Sequence, residues 1–270
     1  MIQDIENHHF NNSYRNIEPE QKDYCLTFAE DRIFVKYDEE KRSLLFPRFI
    51  EADKESIYLF SVDENRFFLK EGISKDCDLF SMRELMSLDL NDNMEIFIAF
   101  SAYHLYRWYR NSQYCGSCGE KMEHSKKERA MVCPKCGNVV YPRINPAVIV
   151  GVKKGEQLLL TRYRNGYSHN ALIAGFAEFG ETLEETVARE VKEETGLSVK
   201  NIRYYKSQPW GIALGLLAGF YCDVDGDDTI RMDENELKYA SWVKREDIVL
   251  QPKKYSLTNE MMERFKNGLE

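Results

Sequence analysis

Three glutamates at helical spacing, Glu190, Glu193 and Glu194, are the side chains of this sequence best placed to do chemistry. At about 100° per residue they fall within an arc of roughly 100°. Glu190 and Glu194 bracket the direction of Leu183, which heads an apolar stripe continued by Val187 and Val191. The acids therefore lie toward the packed side of a helix. Like charges at these spacings repel by roughly 0.2–0.5 kcal/mol per pair in water, and by more when buried, unless a cation sits among them. A divalent cation answers that need, whereas a solvated acidic helix face is the plainer alternative.

The elements that must hold these acids are legible on either side. Thr182 followed by Glu185 makes a capping box, so the helix starts there, and Gly196 is placed to end it in a left-handed turn. Ahead of the cap runs the loop 175–181. Gly175, five residues, Glu181, seven residues and then Arg189-Glu190-Val191-Lys192-Glu193-Glu194-Thr195-Gly196-Leu197 resembles the signature of the Nudix hydrolases. The resemblance implies a loop-helix-loop that holds Mg²⁺ or Mn²⁺ and hydrolyses a diphosphate joined to another moiety. Glu190, Glu193 and Glu194 would be the metal ligands and the base. Gly175, Glu181 and Arg189 would be structural, the last two pairing to tie loop to helix.

A second constellation is Cys115-Gly-Ser-Cys118-Gly119 and, with fourteen residues between Cys118 and Cys133, Cys133-Pro-Lys-Cys136-Gly137. Two tight turns that each present two sulfurs supply a tetrahedral site, and the glycine after each second cysteine permits the positive φ such a turn wants. Zn²⁺ on Cys115, Cys118, Cys133 and Cys136 is expected, rather than disulfides, and four thiolates leave no position open for substrate. His124, between the pairs, reads as a surface residue.

The 270 residues carry a formal net charge of −8, with 43% hydrophobic and 13% aromatic side chains. That excludes a disordered chain and argues against a broad nucleic-acid backbone surface. The first residues lack a basic and then apolar leader, and the longest apolar run, 212–222, is too short to span a bilayer. A cytoplasmic protein with no membrane partner is expected, with Cys25, Cys77 and Cys222 as buried thiols.

Short β-rich runs broken by acidic turns fill residues 24–70 and read as a small antiparallel sheet, and Ser81-Met-Arg-Glu84 opens a short helix. Residues 92–110 read as a helix rich in aromatics. His8 and His9 read as a frayed end, and His104 as a packed side chain. Beyond residue 144, strands at 147–152, 157–163, 171–174, 199–206, 214–224 and 239–243, with helices at 183–195 and 257–266, predict a mixed sheet carrying helices on its faces. The expected division is 1–112, an N-terminal mainly β domain with helices; 113–143, a zinc ribbon; and 144–270, a Nudix α/β/α sandwich. The class is α+β or α/β.

The ribbon, Tyr141-Pro-Arg143, and Ser207-Gln-Pro-Trp210 together resemble the NADH pyrophosphatase branch of that family over roughly residues 95–260. This implies hydrolysis of the pyrophosphate bond of NAD(H) to NMN(H) and AMP by metal-assisted attack of water, in a homodimer. It also implies Glu236 as a further metal ligand, Tyr141 and Phe176 as stacking residues, and Gln208 as a pocket residue. Where that branch runs Pro-Phe-Pro-x-Ser after the tryptophan, this chain has Gly211-Ile-Ala-Leu-Gly215, expected to form a flexible rim with looser selectivity. ADP-ribose, other nucleotide sugars and NAD-capped RNA remain alternative substrates. A nucleotide sensor without catalysis is the alternative of another class.

Overall fold

The computed structural model describes residues 1–50, 55–72, 76–164 and 168–270. It divides into two compact units, residues 2–144 with 211–214, and residues 145–210 and 215–270 with Met1.

In the N-terminal unit the β-rich run that starts at Tyr24 is broken before Phe28, so its halves join different sheets. Tyr24–Leu26 pairs parallel with Asn65–Leu69 in a sheet ordered Phe10–Asn11, Ile57–Val62, Asn65–Leu69, Tyr24–Leu26. Phe28–Ala29 turns back on Arg32–Asp38, which also pairs Ser43–Leu45 and Asp78–Ser81. The single antiparallel sheet expected from the sequence is thus two sheets, one with a parallel pair. Helix α1 (Met82–Ser87) begins at the Ser81 and Glu84 capping box, as its sequence predicts. Helix α2 (Met94–Asn111) buries Ile96, Phe97, Phe100, Tyr103 and Trp108. His8 and His9 are not frayed. His8 Nδ1 lies 2.8 Å from Asp63 Oδ2, and the His9 amide donates to Asp63 Oδ1 at 2.8 Å. His104 lies with its Nε2 2.7 Å from the Arg143 carbonyl oxygen.

In the C-terminal unit the stretch 147–152 has no polar side chain, and alternate residues of a strand face opposite ways, so it must be covered on both sides. Asn145–Lys154 accordingly lies inside a six-stranded sheet ordered Ser198–Trp210, Gly215–Asp225, Asn145–Lys154, Gln157–Tyr163, Leu237–Lys244, with Ile173–Phe176 also paired to it. Its pairing with Gly215–Asp225 is parallel and the others are antiparallel, which makes the sheet mixed. Val148, Val150 and Val152 pack with Val187 and Val191 of helix α3 (Leu183–Thr195). Ile149 faces the other way, toward Leu257, Met261 and Phe265 of helix α4 (Leu257–Lys266). This is the α/β/α sandwich expected from the sequence.

Residues 211–214 correct an expectation. Gly211–Ala213 is a turn of 3₁₀ helix closed by a bond from the Leu214 amide to the Gly211 carbonyl (3.2 Å). Gly211 is buried, and a Cβ there would overlap the Phe100 carbonyl of α2. The segment is a packed turn and not a flexible rim, because without a side chain the backbone can approach the helix closely. Gly211→Ala is expected to destabilise the protein by about 1–3 kcal/mol, as overpacking does, and Gly211→Pro by at least as much. Thermal and denaturant unfolding of the variants against the parent measures this, and an unchanged midpoint would refute the close approach.

Candidate active site and metal centre

The geometry of the acidic site starts from one guanidinium. Arg189 donates from Nε to Glu181 Oε1 (2.6 Å) and from Nη2 to Glu181 Oε2 (3.0 Å) and the Phe176 carbonyl (3.0 Å). Its Nη1 reaches Glu190 Oε1 (2.8 Å) and Glu193 Oε2 (3.0 Å). The planar fork thus ties the loop 175–181 to the acidic face of α3. The Arg189 guanidinium, with help from the Glu178 amide, holds the Glu181 carboxyl down at about 2.

Gly175 has a steric reason. A Cβ there would overlap the Glu190 carboxylate, so only glycine lets that carboxylate lie against the strand end. Burial pushes the Glu190 carboxyl above its ordinary value, against the pull of Arg189. Glu193 departs from the expectation that all three acids face inward. Its side chain is 60% exposed, because it points about 80° round the helix from Leu183, the packed direction that Glu190 and Glu194 bracket.

Glu194 is the anomaly. The residue is 2% exposed, and among the described residues neither carboxylate oxygen has a hydrogen bond of normal geometry, the Ala174 amide giving only a weak one. Burial, then the charges of Glu236 and Glu190, push its carboxyl up to about 8, and the Ala174 amide offsets little of this. Glu236 is brought there by its loop. The Arg231 amide donates to the Thr195 carbonyl (2.8 Å) and the Asp233 amide to the Glu194 carbonyl (2.9 Å), so the loop takes up carbonyls left open at the end of α3.

Sequence reasoning missed two residues here. Arg164 donates from its amide to the Glu236 carbonyl (2.8 Å) and from Nε to the Glu234 carbonyl (2.6 Å), clamping the loop. Nothing local in the sequence signals that pairing. The Tyr163 hydroxyl is raised by burial and then by the charges of Glu194, Glu236 and Glu190. Its signal was available, since Leu159 packs on the α3 face and Tyr163 follows it at even spacing along the strand.

The ring positions divide. Phe176 is 53% exposed and Tyr141 56%, the latter donating its hydroxyl to Glu128 Oε1 (3.1 Å). Gln208, expected to line a pocket, is instead fully buried. Its Nε2 donates to the Tyr255 carbonyl (2.7 Å) and its Oε1 accepts from the Leu257 amide (2.7 Å), which fixes the start of α4.

The four cysteines gather as a metal site does, whereas among the described residues the acids do not bring three ligand oxygens within 4.8 Å of one another and suit a cation by their donor chemistry alone. At the acids, oxygen donors, a buried carboxylate without a well-formed hydrogen bond and mutual repulsion suit a hard divalent cation such as Mg²⁺ or Mn²⁺. In the ribbon, the four sulfurs of Cys115, Cys118, Cys133 and Cys136 all lie within 4.8 Å of one another. Cys115 to Cys136 is 3.6 Å and Cys118 to Cys133 is 3.5 Å, near the ~3.8 Å edge of a tetrahedron with zinc–sulfur distances of about 2.3 Å. Each knuckle closes alike, Gly119 donating to the Cys115 carbonyl (2.8 Å) and Gly137 to that of Cys133 (3.0 Å), both glycines at φ 75°. The Ser117 amide leads the groups that lower the Cys115 thiol and the Cys136 amide those that lower Cys133, while the neighbouring sulfurs raise Cys118 and Cys136, so the four thiols share their protons unequally until a metal replaces them.

Residues 142–265 match the NUDIX domain, and residues 110–141 match the NADH pyrophosphatase zinc ribbon domain. The NAD-capped RNA hydrolases NudC of Enterobacter sp. (strain 638) and of Shigella flexneri are each 40% identical to the chain over 190 residues, covering 69% of it and 71% of the relative. Among solved structures, a Nudix hydrolase from Nitrosomonas europaea superimposes with a TM-score of 0.50 at 19% identity, covering 57% of this chain and 90% of that one, which bears on the fold alone. Given these matches, the α/β/α sandwich and the loop-helix-loop, the chain belongs to the Nudix hydrolase family. Within it, the ribbon and the long match to NudC put it in the NADH pyrophosphatase branch.

Two outcomes follow from these sites. A carboxyl raised from 4.5 to about 8 favours folding fully below 4.5, and that contribution is lost as pH rises toward 8. Without Mg²⁺ or Mn²⁺, stability is therefore expected to fall across that window by more in the parent than in Glu194→Gln, and added Mg²⁺ should recover it. Denaturant titrations at several pH values read this, and identical slopes for the two proteins would sink it. In the ribbon, elemental analysis should find one Zn²⁺ per chain, and Cys118→Ser should lose it and unfold at lower temperature, since binding energy at such sites is folding energy. A zinc-free parent would end that assignment.

Proposed function

We propose that this chain hydrolyses the pyrophosphate bond of NAD(H), releasing NMN(H) and AMP, with divalent cations held by Glu190, Glu193, Glu194 and Glu236. The single observation that carries the reading is Glu194, buried without a well-formed hydrogen bond among the described residues and facing two further acids. A protein gains nothing in stability from such a carboxylate, so its place is best explained by a ligand that arrives positively charged.

Bound there, Mg²⁺ or Mn²⁺ would supply charge neutralisation toward the diphosphate and its attacking water. The chain's own part is to hold and orient. Arg189 keeps Glu190 and Glu193 at the loop, Gly175 leaves room for the Glu190 carboxylate, the Arg231 and Asp233 amides hold the Glu236 loop at the end of α3, and Arg164 clamps that loop at its Glu234 and Glu236 carbonyls. A glutamate of the α3 set accepts the proton of the attacking water. The exposed rings of Phe176 and Tyr141 offer faces to planar groups of the substrate. The ribbon supports the fold and takes no part in the chemistry.

The choice of NAD(H) rests on the ribbon and on the Ser207-Gln-Pro-Trp210 stretch. The name of the NudC relatives favours a second reading, in which the same bond is cut at the 5′ end of an NAD-capped RNA. The proposal also takes the chain as a cytoplasmic homodimer, a setting in which the ribbon thiols stay reduced.

Turnover of NADH with Mg²⁺, followed by separation of NMNH and AMP, tests the reaction. Glu190→Gln and Glu194→Gln are each expected to lose about a hundredfold or more in kcat while remaining folded, since cation-borne charge stabilisation is worth several kcal/mol. Activity within tenfold of the parent in both variants, at saturating Mg²⁺, would refute the assignment.

A further inference from the structure

The strand Ile173–Phe176 has one edge paired and the other free for side chains. The Ala177 amide donates to the Pro146 carbonyl (3.0 Å), and alternation along the strand points the backbone groups of Gly175 and Ile173 the same way, toward Asn145–Lys154. Those of Leu172, Ala174 and Phe176 point to the opposite edge, and each meets a side chain there. Arg189 Nη2 donates to the Phe176 carbonyl (3.0 Å), the Ala174 amide gives Glu194 its weak bond, and the Tyr163 hydroxyl lies 3.5 Å from the Leu172 carbonyl. The Tyr163 hydroxyl and the Glu194 carboxylate therefore meet one strand edge with a single residue, Ile173, between them.

The chain orders Tyr163 at this place. Its backbone pairs with Leu237, the Arg164 amide that follows donates to the Glu236 carbonyl (2.8 Å), and even spacing from Leu159 puts its ring on the face that packs α3. The hydroxyl itself is poorly used. An O–H···O bond is ordinarily about 2.7–2.8 Å, so 3.5 Å to Leu172 is a contact at the limit. Burial, then the charges of Glu194, Glu236 and Glu190, raise the hydroxyl and keep it protonated, which makes it a donor among acceptors. A packing role alone would be met by phenylalanine, without the cost of desolvating a hydroxyl.

We propose that Tyr163 is a positioning residue, whose hydroxyl donates, directly or through one water, to the ionised Glu194 carboxylate and fixes the orientation in which that carboxylate takes a divalent cation. The inference rests on the proposed pyrophosphate hydrolysis and adds a residue to the same site. Arg189 cannot serve Glu194, because its donors are occupied by Glu181, Glu190, Glu193 and the Phe176 carbonyl. On the strand edge that Glu194 faces, the Tyr163 hydroxyl is a side-chain donor that no carboxylate has yet taken up. A carboxylate steered at one oxygen presents the other in a fixed direction, as hydrogen bonds behind metal ligands do in general.

The test is Tyr163→Phe, which removes the hydroxyl and keeps the ring. Calorimetric titration of the substrate-free protein with Mn²⁺ is expected to show binding weaker by about tenfold or more, the loss of one hydrogen bond to a charged group. The Mg²⁺ concentration that gives half-maximal NADH hydrolysis should rise by the same factor, with kcat at saturating Mg²⁺ falling by less. The thermal midpoint of the metal-free variant should stay within about 3 °C of the parent, since only a long contact is lost from the fold. Unchanged Mn²⁺ affinity overturns the role. So does a larger fall in the midpoint, which would make Tyr163 a packing residue, or a loss of kcat that exceeds the loss of affinity, which would place the hydroxyl in the chemistry and not behind Glu194. If the parent binds no Mn²⁺ and cleaves no NADH, the proposed reaction falls and takes Tyr163 with it. If the parent does both and Tyr163→Phe matches it, only the role of Tyr163 falls.

Discussion

The Arg189 guanidinium is the interaction on which the catalytic half of this protein depends. Its five donors meet three carboxylates and a backbone carbonyl, drawn from the loop and from α3. Without it, Glu181, Glu190 and Glu193 would face one another with no common cation, and the loop would lose its anchor at Phe176. A lysine could neutralise part of that charge but could not bridge two carboxylates and a carbonyl in one plane. The fork does not reach Glu194, and this division matters. Arg189 satisfies the acids that build the loop, while the acid nearest the core is left for something else to satisfy.

The ribbon solves a related problem differently. Its four thiols also gather groups that repel once ionised, but each knuckle surrounds its sulfurs with amides. Ser117 donates to Cys115 Sγ at 3.4 Å and Cys136 to Cys133 Sγ at 3.5 Å. Those donors lower the cost of holding thiolates, so the sulfur site is prepared for a metal that stays. The acids of α3 have no such cushion at Glu194, and a site whose apo form is strained binds a cation with energy partly drawn from relief of that strain. The contrast fits a resident structural ion in one place and an exchanging catalytic one in the other.

Much of this is legible in the sequence. Thr182, Glu185 and Gly196 bound α3 as their residue types require, the capping box forming both its bonds and Gly196 standing at φ 73°. The cysteine spacing carried the ribbon, because local turn chemistry and ligand count leave few alternatives. What escaped depended on contacts distant in sequence. Gln208 reads as a pocket residue until Tyr255 and Leu257, more than forty residues on, are seen to take both ends of its amide. Gly211 reads as flexible until α2 is seen to lie against it. His8 and His9 read as a loose end, yet Asp63 holds both. In each case propensity described the segment alone, and tertiary packing chose among the conformations it allows.

That pattern bears on where substrate selectivity can reside. On the proposed reading, the acids, Arg189 and Gly175 would handle a diphosphate and carry no information about what is attached to it. The segment after Trp210, where this chain leaves its branch of the family, is committed to packing on α2, so its altered residues are explained first by the space they must fit. Selectivity then falls to side chains that packing leaves unoccupied. In the catalytic unit the exposed rings of the 175–181 loop meet that description, and their positions are set by the same Arg189 fork that orders the acids. Recognition and chemistry are therefore coupled through one guanidinium. A change that loosened it would disturb the placement of the rings together with that of the carboxylates, whereas a change at a ring alone would leave the carboxylates where they are.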